Sequence, residues 1–234
     1  MPGDRPLLTY DDIPEPFHGH RTEPGPRYHR FAAGLLEQLK TSHGADGLNA
    51  GHRLVQSAWH LRYAGVGVEM HRIAPSISAK LSEDDQFVYL SGFQLAVTSS
   101  VAAIDLAAAS LVYLTGHEQR EPDLREMARR PALREGLSPE QLHWVRATNG
   151  DPDVTRFTNV RNALVHRHVP TSVTIRPGTI MLGPGRRPSH TTGLPPSYSI
   201  RVDEEDGEIP VDPSVAFAVG VDRFLALGLM LYDG

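Results

Sequence analysis

The chain has 234 residues, 40% of them hydrophobic, enough to bury a core of its own, and its lack of Cys excludes disulfides and thiolate metal sites. That composition, with no apolar segment opening the chain, points to a reducing, cytoplasmic setting. A net charge of −5 with 28 acidic residues excludes a broad nucleic-acid coat, so any contact with phosphate must be local.

Residues 1–26 hold six Pro and no apolar period, and they are expected to form an extended or loosely docked arm. Two His at positions 18 and 20 have no third ligand nearby and read as polar filler. From Tyr28 to Leu39 the spacing of Phe31, Leu35 and Leu39 predicts one helix face, with Ser42 to Gly47 as its terminating loop. A second helix is predicted from Asn49 or Gly51 to Ile73, closed by Pro75, with Leu54, Ala58, Leu61 and Val68 inward. The Gly65-Val66-Gly67 pair has no strand before it and is not a dinucleotide loop.

Glu83-Asp84-Asp85 opens the longest apolar stretch, Phe87 to Leu114, and acidic residues suit a first helical turn. Gln94, Thr98-Ser99-Ser100 and Asp105 make a membrane span costly, so a buried central helix is expected. Its many small residues allow close approach of another helix, either in a bundle or at a subunit interface. Asp105 stands among apolar neighbours and requires a donor. Residues 117–150 are charged and broken by Pro, with short helices predicted at Asp123 to Arg130 and from Ser138 or Pro139 to Ala147. The first of these is a basic run, which is ordinarily a solvated face and otherwise steers RNA.

Asp151 is a suitable N-cap, Pro152 suits the first helical position and Pro170 stops the run, which predicts a helix up to His168. Val154, Phe157, Val160, Leu164 and Val165 fall on one arc, and Arg161 lies near its middle. A charge thus points where the core should be, and Asp105 is the obvious partner. Asn162 and His166 are neighbours on an adjoining seam with Thr155 and Asn159, while Arg156 and Arg167 lie on the far side. From 170 to 213 the alternation of Val173, Ile175, Ile180, Leu182, Tyr198, Ile200 and Val202 predicts a small element of β-hairpins, with Asp206-Gly207 as a two-residue turn. A final helix is predicted from Pro213 to Tyr232. The chain then reads as mainly α: one helical domain over 27–234 with a β-insertion at about 170–212, before the last helix.

The Arg161-Asn162-x3-His166 pattern has a mechanism of its own. A bare Arg-x4-His spacing is expected roughly once by chance in this composition, and requiring Asn after Arg lowers that to roughly a few hundredths. The stretch resembles the motif of the HEPN superfamily, in which Arg, a polar residue and a later His lie on a late helix of a bundle. The resemblance covers the motif helix closely and residues 27–168 in general architecture. It implies a HEPN-like helical bundle, a homodimer, RNA as substrate and metal-independent cleavage, with Arg161, Asn162 and His166 as catalytic residues and no cofactor. Some members are toxins paired with an antitoxin or a nucleotidyltransferase, often with Tyr two residues after the His as the modified position. His168 stands there in this chain, which puts that form of control in doubt, although His168 and Asp105 remain supporting candidates. The competing expectation is a non-catalytic helical binding or assembly module in which Arg161 is a buried ion-pair partner of Asp105. No His-Glu-x-x-His, phosphate loop or Gly-x-Ser-x-Gly motif is present, and the spacing of the 12 His recommends no metal site.

Overall fold

The computed structural model describes residues 6–17, 27–73, 83–116, 122–166, 172–176, 178–181, 197–201 and 208–233. Its frame is a pair of long helices, α1 (Arg27–Ile73) and α2 (Glu83–Leu114). A break at Gly44, where φ is 61°, divides α1 into two arms that fold back on each other. The expected loop of several residues is thus reduced to a reversal about one left-handed residue, a conformation glycine adopts without cost. The arms come close because Gly51 has no side chain: a Cβ there would lie 2.6 Å from Cα of Leu36.

The second arm of α1 runs antiparallel to α2. Arg53 Nη2 donates to the Tyr113 hydroxyl, and Ser57 Oγ donates to the carbonyl of Ala103 at 2.7 Å. Further along, Gly67 and Gly92 bring the two backbones together, a Cβ on Gly92 meeting the Gly67 carbonyl at 2.7 Å. The small residues of α2 serve this approach: Ala103, Ala107, Ala108 and Ser110 are all buried. The windows Leu90–Leu114 and Pro213–Asp233 are long and apolar enough to cross a membrane, and 72% and 56% of them, respectively, are buried inside the fold.

Helix α3 (Leu124–Arg129) is capped by Asp123, whose Oδ1 accepts from the Glu126 amide, and a 3-10 turn follows at Pro131–Arg134. Helix α4 (Pro139–Asn149) starts with a capping box between Ser138 and Gln141. Helix α5 (Pro152–His166) starts at Asp151, whose Oδ1 accepts from the amides of Asp153 and Val154. Four strand segments, β1 (Ser172–Arg176), β2 (Gly178–Met181), β3 (Ser197–Arg201) and β4 (Glu208–Pro210), pair antiparallel in the order β2-β1-β3-β4. Val173 lies opposite Ile180 on one side and Ile200 on the other. The expected Asp206-Gly207 turn lies outside the described residues.

Helix α6 (Pro213–Asp233) closes the core, lying along both arms of α1 and on α2. Gly228 lets Phe31 and Leu35 approach, and Gly220 meets Leu61 and Ser100. Phe31 and Phe224 contact edge-on with centroids 6.3 Å apart. The bulk of the chain is therefore a helical bundle.

The N-terminal segment is more than a loose arm. Two 3-10 turns, Tyr10–Asp12 and Glu15–Phe17, bracket a buried Ile13, and the Phe17 ring packs on Phe31 and Tyr232. Of the two expectations, an extended or a loosely docked arm, the described residues from Ile13 to Phe17 fit the docked one. Pro-rich composition argues against a regular period but leaves single apolar residues free to dock. A correction concerns Val165, expected on the inward arc but 55% exposed. It lies in the last turn of α5, where none of the described residues covers it.

Candidate functional site

The two charges that the apolar pattern leaves on inward faces meet. Arg161 Nη2 lies 3.1 Å from Asp105 Oδ2, with the side chains 27% and 19% exposed, respectively. The other guanidinium nitrogen, Nη1, donates to Oδ1 of Asn162 at 2.9 Å. Asp105 Oδ1 accepts from the Leu124 amide at 3.1 Å, so one carboxylate anchors both α5 and the start of α3 to α2. Burial pushes the Asp105 carboxyl above its ordinary range; the Leu124 amide and Arg161 oppose that shift, the charge of Asp123 adds to it, and Arg125 opposes it weakly.

These groups line a narrow cleft of ≈ 30 Å³, together with Arg125, Thr155 and Thr158. A volume of that size holds about one water. Arg125 Nη2 donates to Asn159 Oδ1 at 2.6 Å, tying α3 to the outer side of α5. The basic run of α3 and the Arg161 site, separate in the sequence reading, share this cleft. Arg156 stands apart from it in an ion pair with Asp153 at 3.2 Å, half-exposed on the other side of α5.

Of the sequence-predicted site residues, Asp105, Arg161 and Asn162 are brought together. His166 is the last residue of α5, one turn beyond Asn162 on the same helix. The expectation for His168 lies outside the described residues. Among the described residues no group of three or more His, Asp or Glu converges as a metal cage.

A second charged cluster escaped the sequence reading. Arg223 on α6 pairs with Asp151 Oδ2 through a short contact, and its Nη1 lies 3.3 Å from Oδ2 of the fully buried Asp222. Asp222 Oδ1 accepts from the Leu8 amide at 2.8 Å, and Trp144 Nε1 donates to the Arg223 carbonyl at 3.0 Å. The cluster therefore joins the N-terminal segment, α4, α5 and α6. The signal was in the sequence: Asp222 is a carboxylate inside an apolar helix, as Asp105 is. His71 is likewise buried, beside Phe93, and burial lowers its imidazole to about 4 against a weak opposing pull from Asp212.

Comparison with protein-family models, with curated proteins and with solved structures found no match to this chain.

Proposed function

We propose that the chain is a metal-independent endoribonuclease of HEPN type, with Arg161, Asn162 and His166 as its reacting set. The observation that carries this reading is the Arg161 side chain, partly exposed on the wall of a polar cleft, held by Asp105 and joined to Asn162. A carboxylate behind an arginine fixes the direction in which its remaining N–H groups point.

RNA supplies its own nucleophile. The 2′-hydroxyl attacks the adjacent phosphorus, the bond to the 5′-oxygen breaks, and a 2′,3′-cyclic phosphate forms. The protein must take one proton from the 2′-hydroxyl, return one to the departing 5′-oxygen, and stabilise the extra charge on the phosphorane between these steps. An imidazole near neutral pKa suits the proton steps, which assigns them to His166, and a permanently charged planar donor suits the third, which assigns it to Arg161. Asn162 orients Arg161.

The cleft within one chain is too small for a nucleotide, which favours a groove completed by a second copy of the chain. The reading includes a two-fold homodimer, the strand segments at 172–210 as an insertion in a HEPN-like domain, and a toxin or defence role restrained by an antitoxin or nucleotidyltransferase partner. Light scattering at micromolar concentration tests the dimer, and a monomer argues against the shared groove.

A second reading has its own observation: a 3.1 Å ion pair between α2 and α5 is sufficient reason to keep Arg161 without any chemistry. The experiment that separates the two is incubation of the purified protein and of His166→Ala with mixed RNAs in excess chelator. Cleavage by the parent alone supports the nuclease; equal cleavage or none leaves the structural role.

A further inference from the structure

The cleft holds two arginines, and they are not equivalent. Arg161 faces a carboxylate at 3.1 Å. Arg125 instead donates to a neutral amide oxygen, Asn159 Oδ1, and forms no salt bridge among the described residues. The acidic groups near it are already engaged: Asp105 by Arg161 and the Leu124 amide, Asp123 by the Glu126 amide, and Glu126 by Arg130 at 3.1 Å. Arg125 thus carries the less compensated positive charge of the cleft.

We infer that Arg125 is a second phosphate-binding residue, which leaves Asn159 to take a phosphodiester next to the one at Arg161. The inference rests on the RNA reading of this site. Its physical basis is an exchange of partners: the bond to Asn159 has one charged partner, whereas a guanidinium on a phosphate has two and is often bidentate. Asn159 is exposed, so its amide returns to water without a desolvation cost. Asp105 ties the arrangement together, because its two oxygens hold Arg161 and the residue preceding Arg125. The two cations therefore keep a fixed relation on binding, as a pair reading adjacent phosphates along a strand requires. Arg125 is a binding and positioning residue; it does not take part in bond breaking.

The test uses a 2′-O-methyl RNA oligonucleotide, which has no free 2′-hydroxyl and cannot be cut, titrated into the whole protein over a series of salt concentrations. A lost phosphate contact lowers the slope of log affinity against log salt by about 0.7. Arg125→Gln should show that loss, Arg125→Lys should recover most of it, and Arg156→Gln should match the parent. Asn159→Ala, which removes the competing acceptor, should bind at least as tightly as the parent with an unchanged slope. With cleavable RNA, Arg125→Gln should raise KM and leave kcat nearly unchanged. An unchanged slope in Arg125→Gln, with the parent still cleaving, overturns the inference and leaves the nuclease standing. An Arg125-dependent slope in a protein that cleaves nothing overturns the nuclease and leaves the inference. No binding of the oligonucleotide by the parent overturns the inference outright.

Discussion

Arg161 is joined at 3.1 Å to Asp105, a residue 56 positions earlier in the chain, and Asp105 ties α2 to the two elements that carry the arginines of this site. The pair accounts for the geometry of Arg161 under either functional reading, so separating those readings requires substitutions that divide geometry from chemistry.

The first prediction is that His166→Ala and Arg161→Ala each abolish RNA cleavage in chelator, and that Arg156→Ala does not. Loss of a general acid or base lowers the rate by roughly 10²–10⁴, and loss of a charge clamp on the phosphorane by a comparable factor. Arg156 has the same side chain on the same helix but is paired with Asp153 away from the cleft. Mass spectrometry of the products should find 2′,3′-cyclic phosphate ends. Circular dichroism must find the Arg161→Ala fold intact before its rate is interpreted, because this substitution also breaks the ion pair.

A second prediction follows from the raised pKa of Asp105, whose first cause is burial. In the window that opens at its ordinary value of 3.8 and extends upward, the folded chain holds a proton that the unfolded chain has released. Its contribution to stability is therefore fully present below that value and is lost as pH rises through the folded pKa. Urea unfolding should find Asp105→Asn gaining stability relative to the parent as pH rises from about 4 to about 7. The opposite trend would mean that attraction to Arg161 outweighs burial.

His71 has the opposite sign. Burial lowers its pKa from 6.5 to about 4, so the unfolded chain binds the extra proton between these values and stability is lost as pH falls through that window. The contribution is on the order of 3 kcal/mol, present in full above the unfolded value. His71→Phe keeps a ring beside Phe93 and should flatten the acid limb of the stability curve. An unaltered limb would assign acid sensitivity to other groups.

The Asp222 cluster predicts a loss of stability without any change of chemistry. Asp222→Ala leaves Arg223 short of one carboxylate and the Leu8 amide without its acceptor, a loss of about 3–5 kcal/mol for a broken buried pair. Asp222→Asn retains an acceptor for Leu8 and should cost less. The measurement is the urea midpoint together with the rate of proteolytic nicking before Ile13, which should rise most in Asp222→Ala.

Much of the fold is written in the apolar period. Phe31, Leu35, Leu54 and Leu61 are buried as their spacing requires, and Asp123, Ser138 and Asp151 cap the helices they precede. Asp105 and Arg161 stood out because a charge on an apolar face needs a partner, and each is the other's. Asp222 gives the same signal in a helix read only for its apolar residues. The tight reversal at Gly44 was not readable, because a helical period reports which residues face inward and not how closely two backbones approach. Arg125 was hidden for a related reason. Its place beside Arg161 depends on a backbone amide bonding to a carboxylate 19 positions away, and no side-chain pattern records such a bond.

Helix α6 leaves the ribosome after α1 and α2, and it completes their core. Contacts of α6 reach back to Leu8, Gln38 and Trp144, across separations of 214, 194 and 79 positions, respectively. The α1 and α2 hairpins can assemble from neighbouring sequence while synthesis continues, but Phe31, Leu35 and Leu61 lack the cover that α6 gives them until it emerges. During translation the nascent chain thus carries an open apolar trough, a binding surface for holdase chaperones and a point of vulnerability to aggregation. A premature stop before Pro213 would leave that trough permanently uncovered.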